Sequence, residues 1–253
     1  MGLRVFAGPN GSGKSTIVQS VIQARVKGKP IDLGYYINAD EINNALKIKG
    51  FSFSKFKIKI REERLIEFAQ SSGLLQENFT IEVFKNAFTI KSNTLIIVNK
   101  TNVDRVAQII ARFLRKEMLR LKRRFSFETV FSHSSNLDIM RAAQSEGYKV
   151  YLYFVSTESP EINKYRVQLR VRENGHDVPE DRIVSRYYRS LDLLFEAAQI
   201  SYQAFFFDNS QDNEPFKLVA HFKKQGEKMI WDKISKKNNT AWFKKYYTNK
   251  AGE

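Results

Sequence analysis

The sequence predicts an α/β protein in which a parallel sheet is flanked by helices. Three observations lead there. Residues Gly8-Pro9-Asn10-Gly11-Ser12-Gly13-Lys14-Ser15 match the pattern G-x-x-x-x-G-K-[ST] at every fixed position. The match lies between an apolar run at residues 3–6 and a helix-like stretch from Ser15, the strand–loop–helix frame that a phosphate loop needs. Beyond it, strand-like and helix-like segments alternate as far as Asp208. A P-loop NTPase fold follows, with an arginine-rich helical lid and a small basic C-terminal appendage. One domain is expected over residues 1–213 and an extension over residues 214–253.

The elements are expected in this order. The strand at 3–6 leads through the loop into a helix reaching about Val26, and 27–34 is a polar turn. Residues 35–38 form a short strand, 40–48 a helix and 54–69 a longer helix. Residues 79–98 are apolar without a clear period. Residues 103–124 are amphipathic, with Val106, Ile109, Ile110, Phe113 and Leu121 at helical spacing. A strand at 125–129 ends in polar residues, and a helix at 137–147 is closed by glycine. Residues 151–155 are a buried strand, and Pro160 opens the next helix at a position that tolerates its missing N–H. Gly175 and Pro179 interrupt an arginine-rich region. Residues 204–208 are the last core strand, and 216–222 with 228–231 form a hairpin.

Composition narrows the class. Of 253 residues, 42% are hydrophobic, an ordinary share for a globular protein. No apolar run is long enough to span a bilayer, and the chain opens directly into a strand, so no membrane association and no signal peptide are expected. Cysteine is absent, which excludes disulfides and thiolate metal sites. The histidines are His133, His176 and His221, too few to favour a His-based zinc site. A cytoplasmic protein is expected. The net charge of +15 suits anionic partners: nucleotides, sugar nucleotides, nucleic acid or an acidic protein.

The candidate chemistry starts at the loop. Its glycines let successive backbone N–H groups turn toward one anion at a helix N-terminus. Gly8, Pro9, Asn10, Gly11, Ser12, Gly13, Lys14, Ser15 and Thr16 are the expected ATP-binding residues. Lys14 would reach the β/γ-phosphates and Ser15 would hold Mg²⁺. Asp40 follows a strand at the sheet edge where ligands collect. A carboxylate there can take the proton of an attacking hydroxyl or cap a helix. Glu128 and Thr129 end another strand, with Ser132 and His133 in the polar turn beyond. Glu128 can hydrogen-bond an acceptor hydroxyl or a magnesium-bound water.

Arg166 and Arg170 share a helix face by their spacing of four, as do Arg182 and Arg186. Arginine forks suit the charge of a transferring phosphoryl group. With Arg172, these side chains form either a nucleotide clamp or a solvated face laced with Glu173, Glu180 and Asp181. The seven basic residues from Arg112 to Arg124 are read as a solvated helix face. Asp208 ends an apolar strand as a Walker B carboxylate would, but buried strands often end so. From Phe216 onward ten lysines face three acids, with Trp231, Trp242, Phe243, Tyr246 and Tyr247 interleaved. That mixture suits a nucleic-acid surface or a packing appendage.

Taken in order, these motifs resemble the zeta-toxin family of P-loop kinases. The P-loop carries the resemblance together with Asn38-Ala39-Asp40-Glu41-Ile42, residues 125–133 and residues 147–155. Arg166, Arg170, Gly175-His176-Asp177-Val178-Pro179, Arg186-Tyr187 and Phe207-Asp208-Asn209-Ser210 complete it, within residues 1–210. It implies a nucleoside-kinase-like fold and a transferase reaction, the ATP- and Mg²⁺-dependent phosphorylation of a hydroxyl. In characterised members the acceptor is UDP-N-acetylglucosamine. The resemblance implies Asp40 as catalytic base and Lys14, Arg166 and Arg170 as charge-neutralising residues. Glu128, Thr129, Ser132 and His133 fall on the acceptor side, and His176, with Arg172 and Arg182 nearby, falls at a second lid position. The strand-end turn lacks the glycine and arginine of the cell-wall-targeting toxins. Implied partners are a small-molecule hydroxyl acceptor and an antitoxin protein, as in toxin–antitoxin systems. Two alternatives stay open: a kinase acting on nucleic-acid ends, and a non-catalytic ATP-binding regulator.

Overall fold

The computed structural model describes residues 1–173, 175, 177–233 and 240–252. The elements run β1 (Gly2–Ala7), α1 (Lys14–Gln23), β2 (Arg25–Val26), β3 (Lys29–Pro30), β4 (Tyr35–Ile37), α2 (Ala39–Ile48) and β5 (Phe51–Ser52). Then come α3 (Glu62–Ser71), α4 (Ile81–Lys85), β6 (Phe88–Lys91), β7 (Thr94–Ile97), α5 (Val103–Arg120), β8 (Phe125–Thr129), α6 (Ser135–Ser145) and β9 (Lys149–Ser156). Last are α7 (Pro160–Arg172), α8 (Glu180–Asp192), α9 (Leu194–Ile200), β10 (Gln203–Asp208), β11 (Lys217–Gln225) and β12 (Lys228–Trp231). The chain forms two compact units, Met1–Gly34 with Arg124–Glu253, and Tyr35–Arg123. The stretch from residue 214 onward belongs to the first.

Among the described residues of the first unit, six strands stand in the order β12-β11-β10-β9-β1-β8. β8, β1, β9 and β10 are mutually parallel. β1 and β9 are apolar on both faces because helices cover both sides of a parallel sheet. β11 and β12 extend it antiparallel, which a short hairpin connection permits. The register sets Phe6 beside Glu128, Ala7 beside Thr129 and Phe154, and Ser156 beside Asp208. The P-loop and three polar strand ends therefore share one sheet edge.

The C-terminal aromatics fill core space. Trp242, Phe243, Tyr246 and Tyr247 are buried. Phe206 of β10 meets Phe243 at 5.0 Å and Tyr247 at 5.4 Å between ring centroids. Such pairs add about 0.5–1.5 kcal/mol each beyond the area they bury. A nucleic-acid surface built on these rings is therefore ruled out, since a buried ring offers no face to a base.

The α1 helix ends earlier than expected. Ala24 is extended, and Lys27 and Gly28, with φ of 50° and 76°, turn the chain so that Val26 pairs with Lys29.

The second unit departs most from expectation. The helix expected over 54–69 is a 3-10 turn at Phe53–Phe56 followed, after an extended stretch, by α3. Lys57 at φ 51° breaks the helix, and Ile58 and Ile60 alternate into the core. The unassigned run 79–98 folds as α4 and a hairpin of β6 and β7, with β5 completing a three-stranded sheet in the order β5-β7-β6. Ser92 and Asn93 turn it with φ of 46° and 65°. Asn93 also bonds across: its Oδ1 accepts from Ile60 N at 2.8 Å, and its Nδ2 donates to Ile58 O at 2.8 Å.

On α5 the expected apolar stripe is buried, but the basic face is not wholly solvated. Arg115 is 9% exposed. Desolvation, then repulsion from Arg112, lowers its pKa to about 9, so it keeps its charge at neutral pH. Glu117 is also buried, bonded by Arg64 at 2.6 Å and Arg120 at 2.9 Å. No helix among the described residues is long and apolar enough to cross a membrane.

Replacing Asn93 by alanine strips two backbone groups of their partners and puts a residue that disfavours it at a φ of 65°. Urea unfolding is expected to show a loss of about 2–3 kcal/mol with an unchanged m-value.

Candidate nucleotide-binding site

The P-loop has the shape its glycines dictate. Gly8, Gly11 and Gly13 have φ of 149°, 75° and 93°, a region that side chains disfavour. Space is as restrictive as conformation. A Cβ on Gly8 would lie well inside contact distance of the Val155 carbonyl oxygen, and one on Gly11 would lie 2.6 Å from the Asn163 carbonyl oxygen. Gly13 precedes α1, whose first turn carries no acidic residue, so its positive dipole end stays available to an anion. Lys14 Nζ folds over the loop and donates to Pro9 O at 2.9 Å. Ser12 Oγ and Asn10 Oδ1 are buried without a hydrogen-bond partner among the described residues. An unpartnered Ser12 hydroxyl, able to donate, in a glycine cradle at a helix N-terminus fits a bound phosphate chain.

Two asparagines buttress this loop. Buried Asn163 of α7 donates through Nδ2 to Asn10 O and meets Thr157 Oγ1 through Oδ1. Asn209, just past β10, donates through Nδ2 to Ser12 O at 2.9 Å. It also crowds Gly13 so closely that a Cβ there would collide with it. Sequence reading missed Asn163 as a functional residue. Its only signal was a polar residue on the buried side of a helix.

Glu128 lies beside the loop. Ser15 Oγ donates to Glu128 Oε1 at 3.4 Å, so the two groups that could ligate or orient a metal adjoin. Thr129 serves its own turn: Phe131 N donates to Thr129 Oγ1 at 3.2 Å, and Thr129 Oγ1 is 3.2 Å from Asn136 Oδ1. His133 is exposed, and its Nδ1 accepts from Ser135 N at 3.1 Å. Ser132 is half-buried in the same turn.

The helices expected to form the lid, α7 and α8, pack as a pair. Val167 and Val171 of α7 meet Val178 and Ile183 across its turn. Glu180 of α8 bonds Lys164 and Gln168, each at 2.8 Å, and its pKa is lowered first by the Lys164 bond. Tyr187 Oη donates to Thr157 O at 2.6 Å, and burial pushes its pKa well up, keeping it a donor. Arg170 is half-buried where Gly175 approaches; a Cβ on Gly175 would lie 2.8 Å from the Arg170 carbonyl oxygen. Arg166 turns toward the 209–212 loop: Nη1 donates to Asn209 O at 2.5 Å and Nη2 to Asp212 Oδ1 at 2.6 Å. Arg172 and Arg182 are exposed and Arg186 is half-buried. His176 lies outside the described residues.

Asp40 is exposed in the first turn of α2. It is not the helix cap: Asn38 is, its Oδ1 accepting from Asp40 N at 2.8 Å and Glu41 N at 3.3 Å. The Asp40 side chain is thus not used up by capping. Asp208 departs from the Walker B reading. It is buried, and its Oδ2 accepts from Trp242 Nε1 and Ser210 Oγ, each at 2.8 Å.

Fold and cradle together define a P-loop α/β protein with a mostly parallel sheet between helices, as in P-loop kinase structures. No protein-family profile matches the chain. An uncharacterized protein of Haemophilus influenzae is 33% identical over 63 residues, covering 25% of this chain and 45% of that protein. A chain of the AvrRxo1-ORF1:-ORF2 complex superposes over 91% of this chain and 60% of its own, at 15% identity and a TM-score of 0.52. The same complex crystallised with ATP gives a TM-score of 0.51. A chain from the PezAT chromosomal toxin-antitoxin system of Streptococcus pneumoniae aligns over 98% of this chain and 79% of its own, at 14% identity and a TM-score of 0.46. This chain thus spans less than two thirds of the AvrRxo1 chain and of the Haemophilus protein. The fold expected from the zeta-toxin resemblance is the one found.

Alanine at Asn163 would leave the Asn10 carbonyl without its side-chain donor in a buried site. Thermal and urea unfolding are expected to report about 1–3 kcal/mol lost.

Proposed function

We propose that the protein is an ATP-dependent kinase that phosphorylates a hydroxyl of a small metabolite. The observation that carries this reading is the preformed glycine cradle with Lys14 folded over it and Glu128 beside Ser15. The crystallisation of the AvrRxo1 complex with ATP adds support. Mg²⁺ would be held by Ser15 and, through water, by Glu128, and would supply charge neutralisation to the phosphates.

The chain's own residues do the rest. P-loop N–H groups and Lys14 bind and orient the phosphates. Asp40 takes the proton of the acceptor hydroxyl as its oxygen attacks the γ-phosphorus, and the bridging oxygen leaves with ADP. Arg170 offsets the charge of the transferring group, and Arg166 joins it by releasing Asp212. The helical lid excludes water. Glu128, Ser132 and His133 face the acceptor side, and Thr129 shapes their turn. Catalysis rests on positioning and electrostatics.

The motif resemblance makes a UDP-amino sugar, UDP-N-acetylglucosamine, the first acceptor to test and an acidic antitoxin the partner to seek. Burial of the tail aromatics removes the stacking support for a nucleic-acid-end kinase and leaves the exposed lysines as its remaining support. ADP release from Mg-ATP should rise when the acceptor is added. Acceptor-independent binding of ATP without any transfer across a panel of hydroxylated metabolites would instead establish a regulator.

Asp40→Asn is expected to lower the transfer rate at least about 10³-fold while ATP binds as before; an unchanged rate would remove Asp40 from the chemistry. Glu128→Gln is expected to raise the magnesium concentration needed for half-maximal rate about tenfold, read from magnesium titrations at saturating ATP.

A further inference from the structure

The C-terminal segment closes a hydrogen-bonded circuit behind the P-loop. Trp242 is 2% exposed, and its Nε1–H donates to Asp208 Oδ2 at 2.8 Å. Asp208 is 6% exposed and also accepts from Ser210 N at 3.1 Å and Ser210 Oγ at 2.8 Å. Ser210 Oγ accepts in turn from Glu158 N at 2.9 Å, and Glu158 Oε1 accepts from Ala241 N at 3.0 Å. The circuit therefore starts and ends on the C-terminal segment. A buried carboxylate needs such donors, because each one lost leaves its charge poorly solvated.

Asn209 stands between the two residues this circuit fixes. Its N–H donates to Ser156 O at 2.9 Å, and its carbonyl receives Arg166 of the lid. Its side chain holds the Ser12 carbonyl and packs against Gly13. Anything that displaces Asp208 and Ser210 moves Asn209, and with it the peptide groups that open α1. Phosphate recognition by backbone N–H groups tolerates little misplacement.

We infer that Trp242 is a positioning residue of the nucleotide site, acting through Asp208 and Asn209 on the Ser12–Gly13 turn of the P-loop. The inference rests on the nucleotide-binding reading above. It gives the aromatic tail a function: the tail latches the phosphate cradle from behind. A merely structural Trp242 would lower stability when altered and leave nucleotide affinity alone.

Mg-ATP is titrated calorimetrically, without acceptor, into the wild type, Trp242→Phe, Asn209→Ala and the double variant. Phenylalanine keeps a ring and removes the N–H, and melting curves fix the temperature at which all four are folded. Each single variant is expected to weaken ATP binding about tenfold, the effect of one hydrogen bond to a charged or critical group. The double variant is expected to lose no more than either alone, since both act along one line. Where kinase activity is measured, the KM for ATP rises while kcat and the acceptor KM hold.

A second readout leaves the circuit intact. Trp231→Phe makes Trp242 the sole indole, and its emission should shift on saturation with Mg-ATP. This reads the coupling even if Trp242→Phe does not fold. Wild-type ATP affinity in Trp242→Phe, an additive loss of about a hundredfold in the double variant, or a silent Trp242 emission overturns the inference alone. A wild type that binds no nucleotide overturns it together with the kinase reading.

Discussion

The close approach of Gly8 to the Val155 carbonyl is the constraint on which the rest of the site depends. It exists because β1 and β9 are direct neighbours in a parallel sheet. With no side chain between them, the chain leaving β1 passes against the end of β9, and the P-loop lies over the residues that follow that strand. Asn163, itself bonded by Thr157, is then close enough to grip it. Asn209 does the same from β10, the next strand over. Side chains grip the cradle by its carbonyl groups, at Asn10 and Ser12, and leave the α1 N-terminus to the ligand. That division suits phosphoryl transfer, in which the protein contributes mostly fixed charge and geometry.

The same register explains why Glu128 adjoins Ser15. β8 is the other neighbour of β1, and Phe6 pairs with Glu128. A carboxylate at that point lies at the mouth of the loop, whichever helix follows. Its partner Ser15 lies in the first turn of a helix whose dipole favours anions, so Glu128 and Ser15 would be the residues to hold a cation that neutralises a bound phosphate. Thr129, one residue on, is used instead to turn the chain, through bonds to Phe131 and Asn136.

The first unit was legible in the sequence because its strands are short apolar runs ending in polar residues, with glycines where the backbone must turn sharply. The second was legible at β4, α2 and α5, the last through a stripe of helical period, and not between α2 and α5. Its hairpin escaped notice because Ser92-Asn93 is not a glycine turn, and because Phe88 and Leu95 lie in strands of four residues. The helix expected over 54–69 failed at Lys57, where no proline or glycine marks the break. At the site, the loop residues announced themselves by pattern, whereas Asn163 did not, and Asn209 stood in a matched stretch with no role attached. A buttressing asparagine has no spacing rule, and only the fold brings it to its target. The tail left two readings open, a surface or a packing appendage, because composition does not reveal that rings such as Phe243 and Tyr247 turn inward, toward Phe206.

Completion of the core by the last segment has a consequence for synthesis. Ser12 precedes Asn209 by 197 residues, and Asp208 precedes Trp242 by 34. At translation rates of about 5–20 residues per second, the loop waits about 10–40 seconds for Asn209 alone. With Trp242 in the proposed positioning role, the nascent chain carries an unlatched cradle for most of its elongation, and the cradle takes its final shape as the tail emerges. A product cut short by premature termination would retain the whole P-loop motif and lack the latch that shapes it.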